Sequence, residues 1–124
     1  MSNLLQYAAV WLGDRLKESA GRQVSYARGV QQSDPITGTV VQHQYEVVES
    51  DGSVTLVLAY DWTFTASDLV VAGNPIKPRS GDRIKETLNG EAIEFEVLPI
   101  GKLPCSEWLD TSGILLLVHT KKVG

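Results

Sequence analysis

A mainly β domain is the fold class predicted here: a small antiparallel barrel or sandwich of about six to seven strands, with an N-terminal α-helix. Three observations predict it. Apolar residues recur at helical spacing only before Gly21. The run SVTLVLAYDWTFT then places Val54, Leu56, Leu58, Tyr60, Trp62 and Phe64 at every second position. Finally, Asp51-Gly52 and Asn89-Gly90 are two-residue hairpin signals between strand-like runs.

Taken in order, SNLLQYAAVWLGDRLKESAG reads as a helix that Ser2 or Asn3 can cap and Gly21 can end. Leu4, Leu5, Ala8, Trp11, Leu12 and Leu16 share one broad face, with Asn3, Gln6, Asp14 and Lys17 opposite. Tyr7 and Val10 fall on the polar side, as scattered surface apolarity or as a second contact surface. QVSYA is a short strand. TGTVVQHQYEVV is a longer one, with Val41, Tyr45 and Val47 on one face. The period-two run after Asp51-Gly52 predicts a strand with one buried face, long enough to call for a bend or bulge near Tyr60-Asp61. ASDLVVAGNPIKPRSGD is a loop with a short helical turn at Ser67-Asp68-Leu69. GKLPCSEWLDTSG is another loop, and ILLLVHTKKV is a final strand in which Leu115 and Leu117 suggest burial on both faces. A single domain is expected over 1–124, the helix over 1–21 and the β-barrel over 22–124.

Composition narrows the function. In 124 residues, 43% are hydrophobic and 21% charged, which is globular. The single cysteine, Cys105, can form no internal disulfide and fits a reducing compartment. No run approaches the roughly 18 apolar residues of a membrane helix, and the N-terminus lacks signal-peptide character. No membrane partner is expected. A net charge of −4, with a basic cluster only at Lys121 and Lys122, argues against a dedicated nucleic-acid binder.

The richest set of ionisable residues lies in PRSGDRIKETLNGEAIEFEVLPI, Pro78 to Ile100. A two-residue turn at Asn89-Gly90 pairs Leu88 with Glu91, Glu86 with Ile93, Ile84 with Phe95 and Asp82 with Val97. Ile84 and Phe95 then meet inside, while Glu94 and Glu96 face outward beside Lys85 and Arg83. The carboxylates read as a solvated hairpin face rather than a catalytic pair. His43 and His119 lack metal-site spacing, and no metal or cofactor is expected. A nucleophile built from Cys105 and a histidine is an alternative that spacing leaves open, but LPCSEW is no thiol-enzyme signature. Tyr60, Trp62 and Phe64 read as core, and Trp108 as a lid or an interface anchor.

The succession of WTFTASDLVVAG, KPRSGDRI, a hairpin ending FEV, a tryptophan loop and LLLVHTKK resembles the head-to-tail joining proteins of tailed bacteriophages and prophages, also described as head-completion, adaptor or stopper proteins. The resemblance covers Asp61 to Lys121 and is strongest in F-x-x-x-x-D-L followed by P-x-x-G-D-x-I. It implies a barrel acting as a structural virion protein at the head-tail junction, made in the host bacterial cytoplasm. It further implies a homo-oligomeric ring, commonly a hexamer, between the portal or adaptor and the tail proteins. DNA passes through such a ring without specific binding, and there are no catalytic residues. Asn74 to Ser80 and Gly101 to Gly113 become the candidate contact loops, so Tyr7, Val10, Asn74, Pro75, Lys77, Arg79, Lys102 and Trp108 are the candidate interface residues. The alternative is a small β-barrel peptide- or ligand-binding interaction module of a cellular protein.

Overall fold

The computed structural model describes residues 21–124. The helix expected over 1–21, with Tyr7 and Val10, therefore lies outside the described residues except for Gly21. From Arg22 onward the chain is mainly β. The longer strands are β1 (Arg22–Arg28), β3 (Ile36–Val48), β4 (Val54–Thr65), β7 (Arg83–Leu88), β8 (Glu91–Val97) and β10 (Leu115–Lys122). Shorter ones are β2 (Gln31–Gln32), β5 (Val70–Val71), β6 (Asn74–Pro75) and β9 (Ser106–Trp108). Ala66–Asp68 forms one turn of 3₁₀ helix, close to the turn expected at Ser67.

All pairings are antiparallel. The main sheet runs β2-β1-β3-β4-β10-β8-β7, and β7 also pairs back with β1. Six strands thus form a circuit of hydrogen bonding that returns to its start. Val24, Tyr26, Trp62, Phe64, Ile84, Phe95, Val97, Leu116 and Val118 fill its interior. Trp62 meets Phe95 edge-on at 5.3 Å between ring centroids and stacks with Phe64 at 5.9 Å. Gly38 makes that packing possible, because a Cβ there would overlap the Phe64 ring.

The β7–β8 hairpin has the register read from Asn89-Gly90: Leu88 opposite Glu91, Glu86 opposite Ile93, Ile84 opposite Phe95. Both turn residues have positive φ, 51° and 82°, as a type I′ turn requires. Arg83, Lys85, Glu94 and Glu96 form weak surface pairs at 3.6–4.0 Å. One part of the expectation needs correction. Asp82 and Glu86 share the parity of Ile84, so these two carboxylates point inward and are buried. Each meets an arginine of β1. Arg28 grips Asp82 through Nε and Nη2 at 3.0 and 2.9 Å. Arg22 holds both oxygens of Glu86, with Nε to Oε2 at 2.6 Å. The β1–β7 seam that completes the circuit is therefore fastened by two forked ion pairs.

Three other expectations change. Asp51-Gly52 lies in a hairpin, but its turn has three residues. Gly52 N–H donates to Glu49 O at 3.0 Å and Glu49 N–H to Ser53 O at 2.8 Å, with Gly52 at φ 86°. The two expected loops contain strands: β5 and β6 join through Ala72-Gly73, both at positive φ, and β9 pairs with β10. No bulge interrupts β4, whose register against β3 is unbroken from Thr63 opposite Thr39 to Val54 opposite Val48.

The largest correction concerns the buried face of β4. Trp62 and Phe64 are fully buried, but Val54, Leu56 and Leu58 are 56%, 58% and 53% exposed. The cause is strand length. β10 pairs with β4 only from Thr65 to Tyr60, and beyond that point β4 has β3 alone as a partner. The outer halves of β3 and β4 form a two-stranded arm. Val41, expected to share a face with Tyr45 and Val47, is likewise exposed, while those two are half-buried.

Candidate interaction surface

The P-x-x-G-D turn anchors one candidate contact loop. Asp82 N–H donates to Arg79 O at 3.0 Å, while the Asp82 carboxylate accepts from Arg79 N–H at 2.9 Å. The same carboxylate accepts from the Tyr26 hydroxyl at 2.6 Å and from Arg28. Burial, then the bond to Asp82, pushes the Tyr26 hydroxyl far above its ordinary pKa. The Asp82 bond raises that of Arg28. Arg28 also donates to Lys77 O at 2.6 Å. The backbone of Lys77 and Arg79 is thus committed to holding the turn, and both residues are exposed. Asn74 and Pro75, also exposed, form β6.

The second contact loop lies against the arm. A groove of about 790 Å³ opens between Tyr45–Ser50 and Ile100–Leu103. Gly101 sits so close to Val47 that a Cβ would come within 3.1 Å of a Val47 methyl. This loop covers one face of the arm. Lys102 and Leu103 are exposed on the groove, and farther along Trp108 and Leu109 are each 50% exposed. Trp108 lies in β9 opposite Leu116, with its ring 3.9 Å from the Cβ position of Gly113. Asp110 fixes the following turn by accepting the Ile114 and Leu115 N–H groups at 3.0 and 2.9 Å.

Tyr45, which lines the groove, also belongs to a polar cluster that sequence reading did not assemble. His119 and Asp61 face each other across β10 and β4. The His119 Nδ1 is 2.8 Å from Asp61 Oδ1, and its Nε2 is 3.1 Å from Glu107 Oε2. The Tyr45 hydroxyl donates to Asp61 Oδ2. His119 is fully buried, and the bond to Asp61 holds its pKa above the ordinary histidine value despite the opposing effect of burial. Tyr45 is pushed well up, first by burial and then by Asp61. His43 stacks on Tyr45 at 4.3 Å, so the two distant histidines flank one tyrosine.

This arrangement bears on the Cys105 alternative. Both ring nitrogens of His119 face carboxylates, and His43 stacks on Tyr45. The Cys105 Sγ is directed to Pro78 O at 3.7 Å. No thiol–imidazole contact is formed among the described residues. No three or more His, Cys, Asp or Glu side chains among the described residues are placed so that they could hold one metal ion, and no described helix is long and apolar enough to cross a membrane. The arrangement is one of fixed loops, an open groove and exposed apolar side chains, which can bind a protein surface.

The structure therefore brings Lys102 to the groove and Trp108 to a nearby exposed strand. It places Asn74, Pro75, Lys77 and Arg79 together on a second exposed loop. The arm was missed because period two identifies a face without saying how far its cover extends. A family model described as phage head-tail joining protein matches residues 2–124. A search of the curated proteins gives no match.

Proposed function

The chain belongs to the phage head-tail joining family, and we propose that it is a structural virion protein forming a homo-oligomeric ring at the head-tail junction. In this reading the fold is a small barrel, whose closed circuit of pairings supplies a rigid body. The ring is a hexamer between the portal or adaptor and the tail. The single observation that carries the reading is the family match over almost the entire chain. The surface is consistent with it. Trp108 and Leu109 are half-exposed large apolar groups on a well-anchored segment, the kind of residue that dominates protein interfaces. The acidic balance would let DNA pass through the ring without adhering.

Imaging of the assembled junction by electron cryo-microscopy tests this. A symmetric ring with the Gly101–Gly113 segment at subunit or partner boundaries is expected. A single unpaired copy, or absence from the junction, would overturn the reading. The groove beside Ile100–Leu103 also favours a second reading, a module that seats a peptide. Genes for portal, capsid and tail proteins next to its own would favour the ring over the peptide module.

A further inference from the structure

The arm has two faces with different surroundings. On one, Ala59 is buried, Tyr45, Val47 and Val57 are half-buried, and the Ile100–Leu103 loop lies alongside. On the other, Val48, Val54, Leu56 and Leu58 are all more than half exposed. These four are no scattered surface residues. Val54, Leu56 and Leu58 continue, at period two, the row that fills the interior as Trp62 and Phe64, joined through the half-buried Tyr60, and Val48 lies opposite Val54 on β3. A contiguous apolar row of this kind normally has something lying on it.

The path of β1 indicates what. Arg22 lies opposite Gly38 and Val24 opposite Ile36, antiparallel. Moving back from Val24 to Gly21 therefore follows β3 from Ile36 toward Val48, in the direction of the arm tip. A chain continued backward from Gly21 in that direction would reach the bare face without reversing. The Arg22 guanidinium lies 5.8 Å from the Trp62 ring centroid, so this approach starts at the foot of the row. Trp62 Nε1 is buried there with no hydrogen-bond partner among the described residues, an unmet donor that added chain could satisfy.

We propose that residues 2–20 of the same chain lie along this bare face of the arm, with their apolar stripe against Val54, Leu56 and Leu58. The stripe is Leu4, Leu5, Ala8, Trp11, Leu12 and Leu16. As a helix, Leu4 to Leu16 spans about 18 Å. The row from Val54 to Tyr60 spans about 20 Å as a strand. Leu16 is joined to Arg22 by five residues, a tether reaching at most about 20 Å. A tether that short gives the segment a local concentration near millimolar, which favours the chain's own segment over that of a second copy. The inference is independent of ring formation, because it concerns how one subunit covers its own apolar row.

The test uses the full-length chain with Cys105→Ser and a new cysteine at Leu56, a solvent-exposed position. A second cysteine goes on the stripe, at Ala8 or Leu12, or on the opposite side, at Gln6 or Asp14. Under mild oxidation at micromolar protein, a stripe position should form an intrachain disulfide at least ten times faster than the opposite positions. Equal rates on both sides, or disulfides only between chains, would overturn the proposal; the latter would assign the face to a second copy. Amide hydrogen exchange provides an independent readout. Residues 4–16 should exchange at least tenfold more slowly than an unstructured chain, and should lose that protection in the double variant Leu56→Asp, Leu58→Asp while Trp62–Phe64 stay protected. No protection in the wild-type chain, or unchanged protection in the variant, would contradict it.

Discussion

The two halves of β4 carry the same sequence signal and have opposite surroundings. Tyr60, Trp62 and Phe64 continue the alternation of Val54, Leu56 and Leu58 without a break, yet Trp62 and Phe64 are core while the other three face outward. The difference lies in the neighbours. β10 runs beside the inner half, and only β3 accompanies the outer half. Alternation specifies which side chains share a face, and the length of the partner strands decides whether that face is enclosed. Within one strand, the body and the arm have become distinct mechanical parts.

Truncations measure that contrast directly. Trp62→Ala should destabilise the domain by about 3–5 kcal/mol, the usual cost of removing a large buried aromatic. Leu58→Ala, four residues away, should cost clearly less, about 1–2 kcal/mol, because the body leaves half of its surface bare and only the proposed N-terminal stripe would lie on it. Denaturant titration of both variants gives the comparison, and similar losses would mean that the arm belongs to the core. Next in size is the seam. Asp82→Ala should cost about 3 kcal/mol, since it strands Arg28, the Tyr26 hydroxyl and the Arg79 N–H together. Gly38→Ala should cost about 1–3 kcal/mol by overpacking against Phe64. Combining it with Phe64→Leu should recover part of that loss.

The smallest effect is a pH dependence. The pKa of His119 is raised in the folded state, mainly by Asp61. Its contribution is therefore fully present below the unfolded value of about 6.5, and is lost as the pH rises through the higher folded value. Stability measured from pH 6 upward should decline in the wild type, and His119→Gln should flatten that decline. An unchanged slope in the variant would show that another group carries it.

The same contrast explains what could be read from the sequence. The β7–β8 hairpin was legible from Leu88–Glu91 to Ile84–Phe95 because Asn89-Gly90 prescribes a type I′ turn that sets those pairs, whereas at the expected Asp82–Val97 pair Val97 accepts from Gly81 N–H instead. The reading of the carboxylates as a solvated face was wrong for Asp82 and Glu86, which share the inward parity of Ile84. Their burial becomes intelligible only with Arg28 and Arg22 opposite them, 54 and 64 residues away, which no local pattern reveals. The Tyr45–Asp61–His119–Glu107 cluster was illegible for the same reason. The β5–β6 turn escaped notice because Ala72 occupies a left-handed conformation that usually calls for glycine or asparagine. The P-x-x-G-D turn proved informative in both respects. It carried much of the family resemblance, and its aspartate ties together Tyr26, Arg28 and Arg79.

The ring at the phage head-tail junction is a proposal about this chain. Electron cryo-microscopy of the intact particle, at a resolution that traces the strands, tests it most directly. A closed ring of identical copies is expected, with Trp108 and the Gly101–Gly113 segment at contacts between subunits or with the portal or tail. A junction lacking this chain, or one holding a single isolated copy, would contradict it.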